Sequence, residues 1–447
     1  MVPIRRRQAD SLSYFSLMYS FLKGQPEIDA AQRSALRRDY ARFQNGLPDS
    51  LESYVKEQYQ IDLRSEYGNH PIKNPFGKGS GQLSLNTSQV RRDCEDGLGF
   101  VVLKSIIAED ASGAQSMSEW AIEETRMVVE RIIGNDGTQG WTVSWKGRGW
   151  YDTFDEYLKF FDEALSVAVP ASVLVVPSCK YHLPRAGEGE WKVGEYEYTT
   201  RRLMEVWHLH SNEAMPIEKD FSPTLAGSDR AAQAEMIIEW LTRVTSLIRR
   251  AAEPSPVNIG LKIFNAILDD DFQLEMLRTV NEKCRGTDVP DFLIYANRLF
   301  DPNREFDGVR GIAYGGPDLS SRNLEVLRRL RLLERQGAIP ICKLPISATG
   351  NIVSGRIAAE YLLCGASSFQ MHTYFQLPSG EYTMRTGGKT ARALFELCFH
   401  PEEGLLAWLL HLRRTFDWPV DWNIKQMAEF CMEPSNNVSA EHVSALS

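Results

Sequence analysis

No two cysteines in this chain lie close enough to make a Cys-x-x-Cys pair, although seven are present. Zinc ribbons and ferredoxin-type iron–sulfur modules need paired thiolates, so both are excluded. The count is odd (Cys94, Cys179, Cys284, Cys342, Cys364, Cys398 and Cys431), and several sit inside apolar runs. Reduced core thiols in a cytoplasmic protein are the expectation. Long apolar runs are missing as well. The stretch from Tyr14 to Leu22, behind Arg5, Arg6 and Arg7, superficially imitates a secretory leader. Serines interrupt it and no small-residue cleavage site follows, so it reads as the start of a helix. It also falls far short of the roughly 20 apolar residues that cross a bilayer, so no integral membrane segment is expected. Positive charge is not in surplus either. Fifty Lys and Arg against 59 Asp and Glu leave a net charge of −9, with the basic residues scattered. That argues against a nucleic-acid partner, which needs an electropositive face. A dinucleotide fingerprint in a βαβ setting is absent too.

What the chain does have is an ordinary globular balance, 43% hydrophobic and 24% charged, over 447 residues. Residues 1–68 show helical spacing and no strand-like runs, and read as a helical N-terminal extension. Beyond them, short β-rich runs alternate with amphipathic helices. The runs are GFVVLK (99–104), VLVV (173–176), VWHLH (206–210), IGLKI (259–263), FLIYA (292–296), IPIC (339–342) and SFQM (368–371), with a weaker one near 78–83. Short apolar strands of this kind suit a parallel sheet buried on both faces. Between them, Phe154, Leu158, Phe161 and Leu165 share one helical face, as do Ile237, Leu241, Val244 and Ile248. Leu324, Leu327, Leu330 and Leu333 make a third stripe, ended by Gly337. Eight β-then-α alternations over about 300 residues predict a (β/α)8 barrel across 69–375, with a doubly wound open sheet as the competing arrangement. Segment 134–153 reads as a loop or hairpin inserted over one barrel mouth. Residues 376–447 read as helices followed by a tail, NNVSAEHVSALS, expected to be disordered.

Barrel chemistry sits at the C-terminal ends of the strands. Gly77, Gly79, Ser80 and Gly81 form a small-residue turn there, NPFGKGSG, where a flat ligand can approach the backbone. Lys104 and Ser105 close one strand and Lys262 another. Gly315 and Gly316 stand in YGGPDLSS before the Leu-striped helix, and TGNIVSG (349–355) precedes LLCGASSFQMHTYF (362–375). Each feature alone is commonplace: glycines are ordinary turn residues, and a lysine after a strand is usually a solvated loop residue. Together, two lysines and two glycine turns are the set a phosphorylated ring cofactor requires. The lysines offset negative charge on a reduced ring, and the turns hold its phosphate.

NPFGKGSG followed by GLGFVVLKS resembles the opening of the dihydroorotate dehydrogenase family. The resemblance continues through EVWHLHSNEAMP, NIGLKI, IYANR, YGGPDLSS and GNIVSGRIAAEYLLCGASSFQMHT, covering roughly residues 71–375. It implies an FMN barrel that moves a hydride between the flavin and a C–C or C=C bond of a small-molecule substrate. Gly79, Ser80, Gly81, Lys104, Ser105, Lys262 and Asn297 would then meet the flavin ring and ribityl chain. Gly315, Gly316, Gly350, Asn351 and Thr373 would surround the phosphate. The chain departs from the family where the usual Gly-Gly reads Gly350-Asn351 and the usual Gly-Thr reads His372-Thr373; His372 either adds a donor to the phosphate or crowds it.

The family's proton-transferring Cys or Ser follows the fourth strand. Laid without gaps on EVWHLHSN, that position falls on His210, with Asn212 as the trailing amide and Trp207 in place of another. A histidine, with an ordinary pKa of about 6.5, suits a base near neutral pH. The plainer alternative is that His208 and His210 are structural strand residues. Trp145, Arg148, Trp150 and Tyr151 occupy a loop where the family supplies amides, and Arg298 follows Asn297. These replacements favour an apolar or aromatic substrate over orotate, with Arg148 or Arg298 able to hold a carboxylate on it; alternatively the aromatics only pack the loop. Two further readings stay open: a true dihydroorotate dehydrogenase whose N-terminal extension docks quinone, and an inactive barrel serving as a binding subunit. Electrons would leave by a separate acceptor, and related barrels often form homodimers.

Overall fold

The structure, a computed structural model, describes residues 22–433 other than 23, 122, 124–125, 146–148, 186, 222–233 and 307. The short apolar runs pair as expected of β-branched chains with no exposed face. Ten segments make one sheet: Phe76–Lys78, Phe100–Val102, Ile106–Ile107, Leu174–Val176, Ser178–Lys180, Met215–Asp220, Val257–Phe264, Phe292–Asn297, Ile346–Thr349 and Ala366–Met371. Every pairing in it is parallel. Pro177, which has no N–H to give to a ladder, is all that separates Leu174–Val176 from Ser178–Lys180. The first of these pairs with Phe100–Val102 at one end of the sheet, the second with Met215–Asp220 near the other. One run of chain thus touches both ends, and the sheet is curled into a barrel-like wall.

The inside of the curl has its own apolar plug. Tyr67, Phe100, Phe292, Ile72, Val102, Val176 and Ile294 pack there as a cluster separate from the main core. Two glycines make the room. A Cβ on Gly77 would lie 2.3 Å from the Phe100 ring, and one on Gly260 the same distance from Phe292. Tyr67 enters from the hairpin Ser65–Tyr67/His70–Ile72, which closes the end from which the strands start.

Helices follow the strands, and the predicted stripes are their buried faces. Phe154, Leu158, Phe161 and Leu165 are buried in Phe154–Ala168, and Ile237, Leu241, Val244 and Ile248 in Ala234–Ala252. Leu324, Leu327 and Leu330 are buried in Pro317–Arg335, which Gly337 follows in a left-handed conformation at φ 66°. Thr153, Asp269 and Ser354 cap their helices by accepting a backbone N–H.

Two predicted strands are not strands, and the weaker one expected near 78–83 lies earlier, at Phe76–Lys78. VWHLH ends the helix Val193–Trp207, whose buried Tyr196, Thr200, Leu203, Met204 and Trp207 recur at helical spacing. The strand follows later, at Met215–Asp220. IPIC is a loop interrupted by Pro340, and the strand is Ile346–Thr349. The expected insertion is a hairpin, Met127–Ile133 against Gln139–Trp145, beginning earlier than predicted. A second hairpin, Leu299–Phe306 against Val309–Tyr314, was not anticipated.

The N-terminal region carries helices Ala30–Arg42 and Leu51–Tyr59, and the C-terminal region Lys389–Phe399, Leu405–Phe416 and Ile424–Met432. They pack on each other: Tyr40 stacks on Phe395 with ring centroids 4.8 Å apart, and Phe43 meets Phe399 at 5.0 Å. The helix expected to start in the stretch Tyr14 to Leu22 lies outside the described residues except for Leu22, which is not helical, and the tail NNVSAEHVSALS lies outside them entirely. Among the described residues no helix is long and apolar enough to cross a membrane.

Candidate functional site

A cleft opens at the C-terminal ends of the parallel strands, with about 1230 Å³ of empty space, mouth included. Gly79, Ser80, Lys104, Ser105, Lys262, Asn297, Arg298, Gly315, Gly316, Gly350, Asn351 and Thr373 all line it. Residues spread over some 300 positions meet because they lie at or just beyond the C-terminal ends of several strands of the same sheet, with Gly315 and Gly316 added from the end of the second hairpin.

The floor is charged and layered. Deepest is Glu218, fully buried, which accepts from Tyr67 Oη and Gln370 Nε2 and lies 3.2 Å from Lys262 Nζ. Gln370 completes the ring, donating to Tyr67 Oη at 2.9 Å and accepting from Lys262 at 3.3 Å. One layer up, Asp220 is ion-paired with Lys180 and accepts from Ser105 Oγ at 3.0 Å. Ser105 reaches Ser178 at 2.8 Å and Ser80 at 3.0 Å. Asp220 Oδ1 is buried with no hydrogen-bond partner among the described residues.

Burial dominates the electrostatics. It pulls the Lys104 ammonium down to about 7, helped by the charges of Lys180 and Lys262 and opposed by Asp220. Lys180 is lowered by burial as well, with Asp220 opposing. Burial would raise the Asp220 carboxyl, but Lys180 and Lys262 outweigh it and hold the group at about 2. Arg298 is lowered by burial and then by Arg304, to about 9. Positive groups outnumber carboxylates here, so the cleft favours an anionic ligand.

The glycine turns form another wall. Gly316, at φ 105°, precedes the 19-residue helix Pro317–Arg335 and leaves its first turn without a side-chain cap. Gly350 at φ 114° and Asn351 at φ 51° are consecutive left-handed residues. Such a turn, beside an uncapped helix N-terminus, presents backbone N–H groups suited to phosphate. Gly315 N–H itself donates to Thr142 Oγ1 at 2.9 Å, fastening the first hairpin over this wall. The roof belongs to the two hairpins: Ser144 from one, Phe306, Ile312 and Ala313 from the other. Arg298 ties them, donating to the carbonyls of Val143 and Ala313.

Several candidates stand elsewhere. Gly81 is not in the cleft lining; its missing side chain makes room for His372, whose Nε2 would lie 2.2 Å from a Cβ there. His372 does line the cleft, receives Gln376 Nε2 on its Nδ1 at 2.8 Å, and is held well below the ordinary histidine range by burial and then by Arg298. His210, Trp207 and Asn212 precede Met215–Asp220 and therefore sit at the opposite end of the sheet. His210 Nε2 is 2.6 Å from Asp162 Oδ1, Trp207 Nε1 donates to the Glu213 carbonyl, and Asn212 is exposed in a turn. The reason is the displaced strand: the strand of this region is Met215–Asp220, and the chain leaves its C-terminal end only at Phe221. Tyr151 is exposed and stacks on Trp150 away from the cleft lining. The Trp145 side chain and all of Arg148 lie outside the described residues.

Sequence reasoning missed Lys180, Asp220, Glu218 and Gln370. The available signal was the polar ending of each strand: SCK after VLVVP, EKD after MPI, and Gln370 within SSFQM. Scans of the sequence against protein-family models and against curated proteins give no match.

Proposed function

We propose that the curled sheet is a (β/α)8 barrel, each pair of segments at 100–107 and 174–180 counting as one strand, and that its cleft binds FMN. The chain would be an FMN-dependent oxidoreductase of the dihydroorotate dehydrogenase-like type, acting on a small molecule other than orotate. The observation that supports this most is the meeting of Lys104, Lys262 and both glycine turns in one cation-rich cleft. The residues fit the group. Gly316 and the Gly350-Asn351 turn would hold the phosphate, Gly79, Ser80 and Asn297 leave the wall low enough for a flat ring, and Lys104 and Lys262 offset its negative charge when reduced. Bound FMN would supply hydride transfer.

The protein's own part is positioning and protons. The ring of Glu218, Gln370 and Tyr67 orients Lys262 from below. Lys180, paired with Asp220, is a buried proton-bearing group on the cleft floor. The hairpin roof, held by Arg298, keeps water from the floor. The family's proton-transferring residue follows the fourth strand; on the eight-strand count that strand is Met215–Asp220, and the residues next in the chain, 222–233, lie outside the described residues, so on sequence order alone Ser222, Thr224 and Ser228 replace His210 as candidates. Titration of the chain with FMN, followed by quenching of flavin fluorescence, tests the reading. Saturation near one FMN per chain, with riboflavin at least tenfold weaker for want of the phosphate, is expected. Failure of both to bind refutes it.

A further inference from the structure

The flavin reading uses Lys104 only as a charge, yet its surroundings suit covalent chemistry. The side chain is 3% exposed and lines the cleft. Lys180 and Lys262 line the same floor, with Asp220 bound to Lys180 among them. A lysine kept dry and placed beside other cations has its amine lone pair available near neutral pH. Burial and the neighbouring lysines bring Lys104 to about 7, in keeping with that placement.

The same cleft also has a wall of glycine turns, made by Gly316, Gly350-Asn351 and Thr373, with backbone suited to a phosphate. Strand order brings this wall and Lys104 together. Ala366–Met371, which leads to Thr373, pairs with Phe76–Lys78, which leads to Gly79; that strand pairs with Phe100–Val102, which leads to Lys104. A ligand with a phosphate at one end and an electrophilic carbon at the other therefore meets both features within one cleft.

We propose that Lys104 is a nucleophile toward phosphorylated aldehydes or ketones, the phosphate seating on the glycine turns while Nζ captures the carbonyl carbon as an imine. Nζ adds its lone pair to the carbonyl carbon, and the carbonyl oxygen takes a proton from the ammonium of Lys180. The nitrogen then loses a proton to the Lys180 amine, and the hydroxyl leaves as water on taking that proton back from Lys180, so that Lys104 ends as the protonated imine and Lys180 as the amine. A C=N bond replaces the C=O bond, one water is released, and nothing is oxidised or reduced. Asp220 keeps Lys180 beside the reacting nitrogen and balances its charge. This inference goes beyond the flavin reading and does not depend on it. It does predict that FMN and a phosphorylated carbonyl compound exclude one another.

The test is borohydride trapping on the full chain, freed of any bound flavin, with pyridoxal 5′-phosphate as probe and pyridoxal as its phosphate-free counterpart. Peptide mapping by mass spectrometry should find one reduced adduct per chain, on Lys104, formed at least tenfold faster with the phosphorylated aldehyde. Excess inorganic phosphate should slow it, and Lys104→Met should abolish it while circular dichroism is unchanged. The rate ratio between the two aldehydes is read on the unaltered chain, so the inference stays testable if the variant misfolds. Labelling spread over surface lysines at equal rates for the two aldehydes, or an unlabelled Lys104, overturns it. FMN that binds in a chain whose Lys104 never forms the adduct sinks the imine alone. An adduct at Lys104 that forms unhindered by FMN supports the imine and counts against the flavin reading.

Discussion

Removing Glu218 tests whether the cleft floor is held as a charge-balanced ring. The carboxylate is fully buried and accepts from Tyr67, Gln370 and, at 3.2 Å, Lys262. Glu218→Ala leaves the Lys262 ammonium without its carboxylate, Tyr67 Oη without its acceptor and Gln370 Nε2 with only Tyr67 to donate to. Breaking a buried ion pair from one side costs about 3–5 kcal/mol. Lys262→Met should cost less, because Glu218 keeps its bonds from Tyr67 and Gln370. In the double variant no charge is left uncompensated, so the cost should fall short of the sum of the singles by about 2 kcal/mol, within the range for residues in direct contact. Equilibrium urea denaturation followed by tryptophan fluorescence measures all three variants. Additive costs, or a Glu218→Ala variant as stable as the parent chain, would refute the reasoning.

Three other outcomes follow from the same contacts. Gly77→Ala pushes a methyl into the Phe100 ring 2.3 Å away and should cost at least the about 1–3 kcal/mol typical of overpacking, while Gly189→Ala, with nothing within 4 Å, should be neutral in the same melts. Lys104 is held at about 7 when folded and near its ordinary 10.5 when unfolded, so the unfolded chain binds the extra proton between those values. Its burial penalty is therefore full below pH 7 and fades as pH rises toward 10.5; Lys104→Met should stabilise the chain most at pH 6 and least at pH 10, and a pH-independent effect would contradict this. His210→Ala breaks a half-exposed contact with Asp162 and should cost no more than about 1 kcal/mol, leaving FMN affinity unchanged in a fluorescence titration.

Where the sequence is legible, one physical rule acts alone. GFVVLK and FLIYA pair in the sheet because both faces of each strand are covered, and Leu324, Leu327 and Leu330 face inward because nothing competes with their helical spacing. Met215–Asp220 escapes detection because Glu218 and Asp220 point into the curl, and a strand whose inner face serves a polar cleft has no apolar pattern. VWHLH misleads for the converse reason: Trp207 is buried, but as the last residue of a helical stripe. That single displacement leaves His210 at the end of the sheet opposite the cleft. The glycine turns and Lys104 and Lys262 are legible because strand ends are marked by what precedes them. The partners of those lysines are not, since Glu218 and Asp220 meet Lys262 only once Met215–Asp220 is paired beside Val257–Phe264, and Gln370 reaches it only across the curl of the sheet. Gly81 shows a further limit. In sequence it is one more flexible turn residue, and only packing against His372 explains it.

The central claim is that this cleft carries FMN. The visible absorbance spectrum of the purified chain, with mass spectrometry of any chromophore released on denaturation, tests it most directly. Two flavin bands and FMN near one per chain are predicted. A colourless protein that takes up no FMN on reconstitution would contradict the account.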